Sequence, residues 1–178
     1  MARFRSKDFM KYLVVVLAIT ISLIFEIDAS KLSNETNQQI VIIHPIIVDG
    51  DTIKTPEHRI RLWGIDAPEL AQKCYNNQIE IECGKLSKER LTVIVGQEPL
   101  SCAVIDIDRF KRKVARCSNA SGDIGELMVC QGWALEYEDY SNGHYKKCQD
   151  KARKSRNGLW ALSFTNPWEW RKGTKNYQ

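Results

Sequence analysis

No Cys-x2-Cys pair occurs in the 178 residues, no internal repeat or low-complexity tract is visible, and no apolar run reaches the length of a membrane-spanning helix. The first absence argues against a zinc cluster. The second leaves an ordinary globular chain, too short for two full domains. The third bears on the N-terminus, where a basic start (MARFRSKDFMK) precedes an apolar run of 14 residues, Tyr12 to Phe25, followed by the small residues Ala29 and Ser30. Spanning a bilayer takes roughly 20 residues, whereas a secretory signal needs roughly 7 to 15. Residues 1–29 are therefore set aside as a signal peptide, with an uncleaved N-terminal membrane anchor through residues 12–25 as the alternative. A buried core helix is at odds with the flanking lysines and arginines. The protein is expected to be exported, either secreted or periplasmic, and residues 30–39 form a polar linker.

Acidic residues are scarce at the other end. From Ser141 to Gln178 there are 9 Lys plus Arg against 2 Asp plus Glu, a segment charge of +7, whereas Ser30 to Tyr140 carries 13 against 17. A basic end suits a polyanion, and a solvated helix face produces the same pattern. A hydrophobic fraction of 43% with 27% charged residues excludes disorder throughout and supplies one substantial core.

All six cysteines follow the N-terminal segment: Cys74, Cys83, Cys102, Cys117, Cys130 and Cys148. An even count behind an export signal points to disulfides. Their order suggests sequential pairs, Cys74–Cys83, Cys102–Cys117 and Cys130–Cys148, each closing a short loop worth on the order of 3 kcal/mol in the chain-entropy model.

Along the chain, IVIIHPIIV reads as strand with Pro45 at an edge or bend. Asp49-Gly50 turns the chain into TIKT, making a hairpin. HRIRLWGI alternates, which predicts a third strand with Arg59 and Arg61 on one face and Ile60 and Leu62 on the other. A helix is expected from Gly84 to Val95, facing inward through Leu86, Leu91 and Ile94. PLSCAVIDID and VARC form a further hairpin about DRFKRK, which brings Cys102 beside Cys117. GDIGELMVCQG is a short helix ended by Gly132, and a basic amphipathic helix runs from His144 to Asn157. The tryptophans of LWALSFTNPWEW read as packing anchors. The expected class is α+β: a five-stranded, OB-fold-like β-barrel with two to three helices packed on it, over residues 40–170, with a tail at 171–178.

The stretch VDGDTIKTPEHRIRLWGIDAPEL concentrates Asp49, Asp51, Asp66 and Glu69 with Arg59 and Arg61. Two carboxylates about 4 Å apart repel by roughly 4 kcal/mol at an effective dielectric of 20, so something positive should sit among them. Oxygen ligands favour a hard cation, calcium or magnesium. Guanidinium groups match phosphate oxygens and stay charged, and a carboxylate-held cation with arginines suits a phosphoryl transition state. Against this stands the plainer account, in which Asp49 is a turn residue, Asp66 caps the next segment, Glu69 caps or forms a salt bridge, and Arg61 and Arg112 lie on the surface.

DGDT, RLWGIDAPE, DRFKRKVA, ELMVCQGWA and NGLW, in that order over roughly Ile40 to Trp170, resemble the staphylococcal-nuclease-like (thermonuclease) family, and the paired cysteines and PWEW ending resemble its exported bacterial members. The resemblance implies calcium bound by Asp51, Asp66 and the backbone carbonyl of Ala67, with Asp49 behind them. It implies Arg61, Glu69 and Arg112 as catalytic residues. Tyr140 and Arg109 are the substrate-binding candidates, DNA and RNA the substrates, 3′-phosphate ends the products, and a monomer the working form. Two departures stand out: Lys111 occupies the place of a glycine before the second arginine, and Glu138 replaces one of two pocket tyrosines. Loss of catalysis, leaving an exported OB-fold module that only binds nucleic acid, is the alternative, as is a disulfide-stapled interaction protein of the envelope. Neither needs Arg61, Glu69 and Arg112 together.

Overall fold

A computed structural model describes residues 38–174, 176 and 177, together with Val16 and Ile19. Those two are helical and belong to a separate unit, 1–37; apart from them, the expected signal or anchor and nearly all of the linker lie outside the described residues. Among the described residues no helix is long and apolar enough to cross a membrane.

The second unit is a curled sheet of seven strands with helices on it, an α+β domain of the expected OB-fold-like kind. Strands β1 (Gln39–Ile42), β2 (Ile46–Ile47), β3 (Thr52–Lys54) and β4 (Arg59–Leu62) come first. Short β5 (Ile65–Asp66), β6 (Cys74–Asn76) and β7 (Ile79–Ile81) follow, then helix α1 (Cys83–Val95) and the long hairpin β8 (Leu100–Ile107) and β9 (Lys113–Asn119). The chain ends through β10 (Gly122–Asp123), α2 (Ile124–Cys130), β11 (Leu135–Glu136), α3 (Glu138–Ser141), α4 (Lys146–Lys154), a 3₁₀ turn at Gly158–Ala161 and α5 (Pro167–Trp170). In the main sheet the order is β1-β8-β9-β4-β3-β2, with β10 on β9. The sheet exceeds five strands because the first predicted strand is cut in two at Pro45, where His44 has φ 52°, and β10 adds a two-residue edge.

The alternation read from HRIR holds: Ile60 and Leu62 are buried, Arg61 is half-buried and Arg59 is exposed. Ile42, Ile53, Ile60, Leu62, Leu91, Leu100, Ala115, Ile124 and Met128 fill the core between sheet and helices. A second cluster around Leu135, Leu159 and Phe164 takes Trp133, Trp160 and Trp168 against it, so Trp160 and Trp168 are packing anchors as expected and Trp133 joins them. All three sequential disulfides are present, and Cys102 pairs with Cys117 across β8 and β9.

Two helices depart from expectation. The inward stripe of α1 is Cys83, Ser87, Leu91 and Val95, with Leu86 and Ile94 half-buried, because Gly84 and Ser87 bring the helix close to neighbouring loops. A Cβ on Gly84 would stand 1.9 Å from the Glu69 carbonyl oxygen, so only glycine fits there. The basic helix starts at Lys146 and ends at Lys154, short of Asn157, since Arg156 turns left-handed at φ 53°.

Candidate active site

Strand register assembles the centre of the site. Thr52 of β3 lies opposite Arg61 of β4, and the Leu62 amide donates to the Asp51 carbonyl at 2.8 Å, which sets the Asp51 and Arg61 side chains beside each other. Asp66 is delivered by β5, which pairs with β11. Gly50 permits the close fit of its turn, because a Cβ there would lie 2.0 Å from Ser87 Oγ and 2.7 Å from Ala67 Cβ.

Arg61 bridges the two buried aspartates. Its Nη1 is ion-paired with Asp51 Oδ1, and its Nη2 donates to Asp66 Oδ1 at 2.6 Å and to the Ile65 carbonyl at 3.1 Å. The other Asp51 oxygen accepts from the Ala67 amide at 2.9 Å, and Thr52 Oγ1 donates to Oδ1 at 3.0 Å. Asp49 accepts from the Asp51 amide at 3.1 Å, behind the cluster. Burial is the largest influence on the Asp51 pKa and would raise it, but the Arg61 charge together with hydrogen bonds from Arg61, the Ala67 amide and Thr52 outweighs it and holds the carboxyl below its ordinary value. Burial, then the Asp51 charge, pushes Asp49 up to about 6. Burial also raises Asp66 despite its guanidinium partners.

Glu69 joins this cluster through a residue the sequence reading placed outside the domain. Arg171, one position past α5, donates from Nη1 to Asp66 Oδ1 (3.0 Å) and Glu69 Oε1 (2.9 Å), and from Nη2 to Asp66 Oδ2 (2.8 Å). The boundary drawn after Trp170 therefore falls one residue short of the site. Buried Gln72 fixes the Glu69 backbone: its amide donates to the Glu69 carbonyl at 2.7 Å, its Oε1 accepts from the Glu69 amide at 3.3 Å, and its Nε2 donates to the Thr165 carbonyl at 2.7 Å. Nothing in the sequence around Gln72 signals this role, since it depends on a partner 93 residues away.

Arg112 stands at the end of the β8–β9 turn, and β9 runs parallel to β4 with Arg61 opposite Val114. Asp108 organises that turn by accepting from the Phe110 and Arg112 amides at 2.9 Å each and from Arg112 Nε at 2.7 Å. The Arg112 guanidinium is thus held by Asp108, its ion-pair partner, and not by the site acids. Lys111 takes φ 61°, the left-handed conformation that glycine adopts freely, so the turn is made in spite of the substitution. Arg109 stacks over the Phe110 ring at 4.8 Å.

A groove of about 830 Å³ opens beside the acids, lined by Arg109, Tyr137, Glu138, Arg153, Trp168 and Arg171 among others. Tyr140 packs on Tyr137 at 5.1 Å between ring centroids, and Tyr137 stacks on Trp168 at 5.7 Å. Tyr137, missed in the sequence reading, and Trp168, read there as a packing anchor, thus form an aromatic row with Tyr140 where Glu138 breaks the expected tyrosine pair.

The family model described as "Staphylococcal nuclease homologue" matches residues 59–162. The chain belongs to that family. It is 32% identical over 167 residues to an uncharacterized endonuclease of Haemophilus influenzae, covering 90% of this chain and 86% of that protein. It is 31% identical over 117 residues to the succinoglycan biosynthesis protein ExoI of Rhizobium meliloti, covering 64% and 61%. It is 31% identical over 132 residues to the staphylococcal-like nuclease CAN1 of Arabidopsis thaliana, covering 73% and 38%. The chain thus spans about three fifths of the rhizobial relative and under two fifths of the plant one. Matched residues 59–162 contain Arg61, Asp66, Glu69 and Arg112, but neither Asp51 nor Arg171.

Proposed function

We propose that this protein is an exported, calcium-dependent nuclease that hydrolyses phosphodiester bonds in DNA and RNA. The observation that carries the reading is the cluster in which Arg61 spans Asp51 and Asp66 with Glu69 joined at its edge. The donor set suits a hard divalent cation: buried carboxylates of Asp51 and Asp66 and the carbonyl of Ala67 offer oxygen alone, with Asp49 behind. Four acids here face two guanidinium groups, Arg61 and Arg171, so the ionised site carries an excess of about two negative charges. Membership in the staphylococcal nuclease family supports the same ion.

When bound, calcium supplies a Lewis acid that neutralises charge developing on a phosphoryl oxygen. Arg61 and Arg112 donate to the non-bridging oxygens of the scissile phosphate, as planar forks do well. Glu69 accepts a proton from the water that attacks phosphorus in line, and the ester bond to the 5′-oxygen breaks. Solvent protonates the departing 5′-oxygen, Glu69 returns its proton to solvent, and the other product ends in a 3′-phosphate. The groove, with the rings of Tyr137 and Trp168 and the cations Arg109, Arg153 and Lys172 on its lining, holds the strand next to the scissile bond.

The test is degradation of single-stranded DNA by the purified protein with calcium chloride, followed by end-group analysis. Cleavage that stops on adding a calcium chelator and leaves 3′-phosphates supports the reading. Undiminished cleavage in chelator refutes the metal assignment, and tight binding without cleavage would instead favour a non-catalytic nucleic-acid-binding module.

A further inference from the structure

Arg171 lies nine residues beyond the segment that matches the family model, yet its guanidinium sits at the heart of the site. Both Asp66 oxygens accept from it, Oδ1 at 3.0 Å and Oδ2 at 2.8 Å, and Glu69 Oε1 accepts at 2.9 Å. With Arg61 also on Oδ1, three guanidinium hydrogen bonds converge on a side chain of 0% exposure. A divalent cation needs those same oxygens, so a guanidinium must give way before Asp66 can ligate it.

The two arginines are not equally held. Arg61 belongs to a central strand, its side chain is 15% exposed, and it also donates to the Ile65 carbonyl. Arg171 follows a four-residue helix, its side chain is 39% exposed, and its guanidinium pairs with Asp66 and Glu69. Releasing Arg171 costs less packing and returns a long charged side chain to solvent, where it is well hydrated.

We propose that Arg171 is a tethered cation that occupies the Asp66–Glu69 edge of the site until a divalent cation displaces it, so that metal binding and docking of the C-terminal segment oppose each other. This rests on the calcium reading given above. Arg171 acts through Asp66 and Glu69 and is a positioning residue: it orients both carboxylates before the metal arrives, and it lowers the apparent metal affinity by the fraction of molecules in which it is docked. Coupling is reciprocal, so calcium must loosen the C-terminal segment as much as the docked segment weakens calcium.

Calcium chloride titrated calorimetrically into metal-free wild-type protein, R171Q and R171K tests this. R171Q is expected to bind calcium on the order of tenfold more tightly than wild type, while its metal-free Tm falls. R171K, which offers a point charge in place of a fork, is expected between the two and serves where R171Q does not fold. In wild type, calcium is expected to speed amide hydrogen exchange over residues 168–174. Equal or weaker calcium affinity in the folded variants overturns the competition while leaving the calcium site standing. Absence of calcium binding in wild type and variants alike overturns the calcium reading and this inference with it.

Discussion

Replacing Lys111 with glycine is expected to stabilise the protein, and the size of the effect follows from the turn it sits in. Asp108 and Arg112 close the β8–β9 hairpin, with the Asp108 amide donating to the Arg112 carbonyl at 3.0 Å and the Lys111 amide to the Asp108 carbonyl at 2.8 Å. This is a tight turn followed by one left-handed residue, the position that hairpins of this length reserve for glycine. At φ 61° a side chain with a Cβ costs roughly 1–2 kcal/mol. Glycine gives back about 0.5–1 kcal/mol through its greater freedom in the unfolded chain. The net gain is about 0.5–1 kcal/mol, or a rise in Tm of roughly 1–4 °C for a domain of this size. Lys111→Ala keeps the Cβ and should stay within about 0.5 kcal/mol of wild type. Lys111→Val should lose about 1 kcal/mol or more, because a β-branched residue tolerates positive φ worst. Thermal unfolding of the three variants by circular dichroism, with disulfides intact, measures this. A glycine variant less stable than wild type, or one no different from alanine, refutes the argument that backbone strain at Lys111 sets the order.

Gly84→Ala puts a methyl group against the Glu69 carbonyl oxygen and should cost about 1–3 kcal/mol, with turnover falling because the Glu69 loop must move; unchanged Tm and turnover would show that α1 can shift without consequence. Gln72→Ala leaves the Thr165 carbonyl and the Glu69 backbone without their buried partner, and a loss of about 2–3 kcal/mol in denaturant unfolding is expected. Burial pulls the Asp108 carboxyl upward, but hydrogen bonds and charge from Arg112, with the Phe110 amide, outweigh it and lower it below 3.8. The stability it contributes is therefore complete above about pH 4 and lost as pH falls through its lowered value, so the Tm gap between wild type and Asp108→Asn should narrow under acid. Arg61→Ala leaves Asp51 and Asp66 buried without their shared partner; turnover should fall by orders of magnitude, and added calcium should recover more Tm in this variant than in wild type.

Much of this architecture is legible in local sequence because local chemistry decides it. The alternation in HRIR fixes which side of β4 faces the core, and the short turn from Thr55 to His58 between β3 and β4 then leaves little choice about Arg61 lying beside Asp51. Cys102 and Cys117 follow from the same hairpin arithmetic. The face of α1 is not legible by apolar periodicity, since its closest approach uses Gly84 and Ser87, whose burial reflects backbone proximity and a hydroxyl donating to the Trp133 carbonyl at 2.7 Å. The early end of α4 is hidden as well: Arg156 is a good helix former by type, and its left-handed backbone answers to the turn that packs Gly158 against Gly132.

The least legible part is the contribution of the C-terminal segment, and the reason is range. Arg171 meets Asp66 across 105 residues and Thr165 meets Gln72 across 93, distances over which no periodicity carries information. Between those two tethers lies α5, with Pro167 buried and Trp168 packed both on the second apolar cluster and on Tyr137. Packing therefore places the segment, and the guanidinium at its end reaches the acids as a consequence. If so, the segment's two contributions should separate under mutation. Trp168→Ala should cost stability, about 3 kcal/mol for a large aromatic in a partly buried site, and should also release Arg171, mimicking the tighter calcium binding expected of R171Q. R171Q should reproduce the calcium effect with a smaller loss of stability. A Trp168→Ala protein that is destabilised yet binds calcium with wild-type affinity would show that Arg171 finds the acids unaided, and that the aromatic packing of α5 serves the fold alone.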